Sequence, residues 1–232
     1  GIVALWLSLS AARLAMKPPA TLNEALDALD RGAYVEARHL ITRMLELAPP
    51  PAESLGGPAF VLGAVTLLET ADGWGRDKRS QYLLAARYLE EARDRGFPPG
   101  RRGEGLFYLG KSLSLAGQYS DCRPPLKEAI EADWRDRSAI HQLLADSYLH
   151  DANPQLVEAL HHNGQYLASP NVTGTQRADA LLQRSRILFD LGRDAECRGI
   201  IADLPAALRS RADVTVLSGR LLLREARQAS AG

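Results

Sequence analysis

The chain has 232 residues, 46% of them hydrophobic, which suits one large domain or a short stack of repeats and excludes wholesale disorder. Its 28 Lys and Arg balance its 28 Asp and Glu, so no long-range field draws it to nucleic acid, and no basic stretch interleaved with aromatics offers a surface for one. Two cysteines, Cys122 and Cys197, stand far apart in no metal-ligand spacing, which argues against a zinc site and against a disulfide framework.

Residues 1–17 read as a hydrophobic N-terminal helix, uncharged before Arg13 and closed by Lys17-Pro18-Pro19. So short an apolar run cannot cross a bilayer, which needs about 20 residues. Two readings stand. The chain opens on Gly, so residues 1–16 can be the trailing half of a membrane anchor, with Trp6 near one boundary and Arg13 and Lys17 at the exit. Otherwise they form an amphipathic helix packed on the first repeat. Localisation follows that choice, with a membrane-anchored chain slightly favoured over a cytoplasmic one.

From residue 18 onward the apolar positions fall three and four apart, the spacing of one helix face. Residues 21–47 predict a helix, a turn at Arg31-Gly32-Ala33 and a second helix. After a Gly-Pro linker at residues 56–58, helices are predicted over 59–70 and 81–93. The connection between them, around Trp74, is longer than the other turns; loops of unusual length often carry function. The third pair spans 106–130, with Pro124-Pro125 placed at the first turn of its second helix, where unpaired amides tolerate proline. The fourth covers 138–150 and 154–167, the fifth 176–190 and 193–204, and a last helix over 212–226 serves as a cap.

One small residue marks each second helix: Ala37, Ala85, Cys122, Ala159 and Cys197, at intervals of 48, 37, 37 and 38 residues. The first interval is stretched by the loop around Trp74. Within the pairs, Leu106-Leu109-Gly110-Leu113 followed by Cys122-Leu126, and His141-Leu144-Ala145-Tyr148 followed by Ala159, resemble the tetratricopeptide repeat. Leu181-Ser185-Leu188 with Cys197-Ile201, and Ala59-Leu62-Gly63 with Ala85-Leu89, are similar to the same pattern. The resemblance implies an all-α fold over residues 18–232: a right-handed superhelical solenoid of about five antiparallel helix pairs with a C-terminal capping helix. In that register both cysteines occupy the small position of a helix crossing, where a thiol packs as a small hydrophobe.

The sequence carries no Gly-rich phosphate loop, GxSxG or HExxH pattern, so no catalytic residue, metal or cofactor is expected and the chain does not read as an enzyme. His161 and His162 are adjacent, and point about 100° apart on a helix. Of the two, His161 is the one expected to approach His141, with one ring in the interhelix seam and one in water. The resemblance implies a protein or peptide ligand in the groove lined by first helices. The inward candidates are Phe60, Phe107, Lys111, Gln142, Asp146, Leu182, Arg186 and Phe189. The Lys and Asn clamp of the chaperone-tail-binding members is not carried over, since Lys111 alone matches it. The expected function is a non-catalytic binding scaffold, tethered to a membrane if residues 1–16 anchor it. The alternatives are an assembly subunit, contacting copies of itself or a larger complex, and a regulatory repeat domain of a larger enzyme.

Overall fold

The computed structural model describes residues 20–47, 51–73, 77–132 and 134–231. The N-terminal segment with its membrane reading, and the loop residue Trp74, lie outside the described residues. Among those described, twelve α-helices and one short 3-10 turn account for the regular structure, and there is no strand. The helices are α1 (Leu22–Asp30), α2 (Tyr34–Leu47), α3 (Gly56–Asp72), α4 (Lys78–Arg95), α5 (Arg102–Leu115) and α6 (Arg123–Glu131). They continue with α7 (Arg137–His150), α8 (Leu156–Ala168), α9 (Gly174–Asp190), α10 (Asp194–Asp203), α11 (Ala206–Arg209) and α12 (Ala212–Ala231). Consecutive helices pair, as the spacing of small residues predicts. No helix among the described residues is long and apolar enough to cross a membrane.

Local chemistry sets the helix ends. At the start of α1, Thr21 and Glu24 form a reciprocal capping box: the Glu24 amide donates to Thr21 Oγ1 and the Thr21 amide to Glu24 Oε2, at 3.3 and 2.8 Å. The turn closing the first helix recurs in three pairs, at Gly32, Gly117 and Gly192, each with φ between 73° and 77°. In each, the glycine amide donates to the carbonyl three residues back, and the next amide to the carbonyl five residues back. This is the Schellman arrangement, and its left-handed position is why glycine stands there. Pro124 and Pro125 sit in the first turn of α6, as expected.

The residues around Gly56 to Pro58 are not a linker. They form the first turn of α3, and all three are buried or nearly so. A Cβ at Gly56 would collide with the Gly96 carbonyl, and one at Gly57 with Leu22, so these glycines permit close approach of neighbouring chain.

The chain divides into two compact units, residues 1–108 and 109–232, with the boundary inside α5. In the first unit the fully buried Phe60 packs edge-on against Phe97, 6.2 Å away, and stacks on Tyr108 at 6.4 Å. Arg38 of α2 pairs with Glu69 of α3 at 2.5 Å, and Arg101 ties Glu104 to Asp30.

In the second unit the small positions do the packing that their spacing implies. Gly110 and Cys122 bring the end of α5 against α6, with Leu126 filling the space over the glycine. Ala145 and its counterpart Ala159 mark the α7–α8 pair, and Ser185 and Cys197 the α9–α10 pair; all four are 1% exposed or less. The Cys197 thiol donates to the Ser185 carbonyl at 3.1 Å, and the Cys122 thiol to the Tyr119 carbonyl at 3.2 Å. Burial pushes both thiols up to about 11, so at neutral pH they are protonated packing groups.

Candidate functional site

Successive first helices of the second unit, α7, α9 and the start of α12, border a cleft of about 450 Å³. The turns of α7 that face it carry Gln142 and Asp146; those of α9 carry Gln176, Asp179, Gln183 and Arg186. Arg211 and Asp213 close one end, and Tyr166, from the last turn of α8, contributes a ring. Leu182 forms part of the floor and is held from below by Leu204 and Val214. A second cleft of about 430 Å³ adjoins the first and shares Gln142, Tyr166 and Gln176 with it.

The charges of the cleft fall into two groups. At one end, Asp213 meets Arg186 at 2.7 Å and Arg211 at 3.1 Å, and Arg211 reaches Asp179 at 3.1 Å. Two arginines thus neutralise two aspartates. At the other end, Asp146 meets an amide: Gln183 Nε2 donates to its Oδ1 at 2.6 Å. Gln183 is itself held by Asn163, whose Nδ2 donates to Gln183 Oε1 and to the Ala180 carbonyl, both at 2.9 Å. Asn163 is fully buried, so this relay starts from a fixed point. Burial pushes the Asp146 carboxyl upward, against the hydrogen bond from Gln183.

The groove candidates separate by chemistry. Gln142, Asp146, Leu182 and Arg186 all line this cleft. Phe60 and Phe107 are buried in the first unit, and Lys111 is half-buried on α5. Phe189 is 6% exposed beneath the Arg224 guanidinium, which lies 3.7 Å from its ring centre, so its face is already covered. Asp179, Gln183, Arg211, Asp213 and the supporting Asn163 carry no sequence signal of their own. Arg211 lies between helices, and the partners of Asp146 lie far from it along the chain.

The histidine pairing differs from expectation. His141 meets His162, not His161, with 3.0 Å between their Nδ1 atoms. One ring donates and the other accepts, so the accepting Nδ1 carries no proton, and burial favours the neutral form of both rings. His162 is 9% exposed and stacks on Tyr148, 5.6 Å away and 6° from parallel. Burial, reinforced by the facing His141, lowers His162 to about 4. No group of three His, Cys, Asp or Glu residues converges as a metal cage among the described residues.

No protein-family description and no curated protein matches this chain. A solved structure does: a crystal structure of the nearly identical TPR-like repeats of a Podospora anserina protein described as a putative kinesin light chain. The two superpose with a TM-score of 0.54 at 15% identity, over 84% of this chain and 97% of the other. The fold is therefore that of a tetratricopeptide-like helical solenoid.

Proposed function

We propose that the chain is a non-catalytic scaffold that binds a protein or peptide segment in the cleft of its second unit. The observation that carries this reading is the composition of the cleft wall: it comes from first helices of successive pairs, with amide groups at Gln142 and Gln176 and a fixed carboxylate at Asp146. Helical-repeat folds offer extended surfaces of this kind. Side-chain amides both donate and accept, so they suit a peptide backbone. The cleft's arginines and two of its aspartates are occupied with one another, which suits recognition better than proton transfer.

The test is occlusion. Peptides are first selected on the unaltered chain from a random display library. Gln142→Trp and Gln176→Trp change exposed positions and leave the core alone. Each is expected to weaken peptide binding at least about tenfold, a difference of about 1.4 kcal/mol. Glu158→Trp, at an exposed position on α8 outside the cleft, is expected to bind as before. Equal binding by all three variants would place the partner elsewhere.

A further inference from the structure

We infer that the occupant of this cleft is an extended peptide segment carrying a basic side chain, and that Asp146 is its anchor. This rests on the cleft being the binding site, as proposed above.

The Arg186, Arg211, Asp179 and Asp213 network closes on itself, so the one remaining carboxylate of the cleft, Asp146, sets its net sign as negative. Among the described residues its carboxylate is held by the Gln183 amide, a neutral donor, and not by a Lys or Arg. A half-buried carboxylate held by a neutral amide, with the exposed His150 imidazole on the next turn of α7 as its nearby cationic neighbour, has lost hydration without gaining the charge of a Lys or Arg in exchange. A guanidinium or ammonium group supplies that charge in a charge-assisted hydrogen bond, the stronger kind.

The relay adds geometry. Asn163 has no exposed surface and fixes Gln183 through 2.9 Å, and Gln183 fixes Asp146 through 2.6 Å. Asn163 Oδ1 has no hydrogen-bond partner among the described residues, so Asn163 is held by its donors alone. The anchor is thus set in place before a ligand arrives, which reduces the ordering cost of binding. Room for the rest of the segment comes from the adjoining cleft. The two share Gln142, Tyr166 and Gln176, so a chain advancing about 3.3 Å per residue can run from one into the other past two amides and a ring. A bare metal ion fits less well, because one carboxylate and an amide do not make an oxygen cage. An acidic segment would meet like charge.

The experiment compares residue preferences. Random nonapeptides are selected on the full chain and on Asp146→Asn, an isosteric change whose folding is checked by thermal melting. The expected result is enrichment of Arg or Lys at one position for the unaltered chain, lost in the variant. The best peptide is then titrated beside the same peptide with citrulline, the neutral isostere of arginine. Citrulline is expected to bind at least about tenfold more weakly, with the gap closing in Asp146→Asn. Gln142→Lys, an exposed change that puts a like charge on the same wall, is the second variant and is expected to abolish the preference. Selected peptides without basic enrichment, or a preference untouched by both variants, would overturn the inference and leave the cleft as a binding site. Failure to select any peptide would overturn the binding reading with it.

Discussion

Replacing Gly110 by alanine adds one methyl group where the second half of α5 crosses α6. A Cβ there would stand 2.5 Å from Leu126 Cγ, 2.6 Å from its Cδ2 and 3.2 Å from the Cys122 carbonyl. Leu126 is fully buried and has no solvent to rotate into, so the two helices must separate. Overpacking of this kind costs about 1–3 kcal/mol. Alanine in a helix interior recovers about 1 kcal/mol of that. The expected net loss is therefore up to about 2 kcal/mol. Gly219→Ala is the counterpart, since a Cβ there meets nothing within 4 Å. It is expected to gain about 0.5–1 kcal/mol from propensity alone. Urea denaturation followed by circular dichroism should move the two midpoints in opposite directions. Two shifts of the same sign would mean that helix propensity, not the crossing, governs both sites.

Three further outcomes rest on the packing. Arg123 sits over the Tyr148 ring at 4.1 Å and bonds Asp151 at 2.7 Å and the Ser147 carbonyl at 2.8 Å, so Arg123→Met should cost about 2–3 kcal/mol in the same assay. The His162 value is depressed from 6.5 to about 4, so the unfolded chain binds more protons in that window and stability falls as pH drops through it. Allowing for partial screening, that loss should be about 1–2 kcal/mol between pH 6.5 and 4, and His162→Phe should remove it from the pH profile of denaturation. Both thiols, buried and raised to about 11, should resist a thiol-reactive dye in the native state at about pH 8 and react stoichiometrically in denaturant; fast labelling of the folded chain would contradict this.

The scaffold was legible because its signal is periodic. A small residue is needed once per helix crossing, and Ala37, Ala85, Cys122, Ala159 and Cys197 mark the crossings without any knowledge of the neighbours. The turn glycines are equally local, since a left-handed position selects glycine by its own sterics. The candidate site was only half legible. In a stack, a first helix packs on more than one side, so apolar spacing alone does not separate a groove ring from a core ring; Phe60, Phe107 and Phe189 all proved buried. The residues from 56 to 58 misled for a related reason: glycine and proline suit both a linker and a tightly packed first turn. Adjacent histidines differ by about 100°, which leaves the choice between His161 and His162 to the helix rotation. The relay from Asn163 through Gln183 to Asp146 joins three helices, and no local pattern encodes such a set.

The claim that first helices of the second unit hold the partner is tested most directly by placing a photo-crosslinking benzophenone side chain at Gln142 and, separately, at Glu158. Gln142 lines the cleft, whereas Glu158 is exposed outside it. With the selected peptide in excess, a crosslinked product is expected from position 142 and none from 158. Equal yields, or product from 158 alone, would contradict the claim.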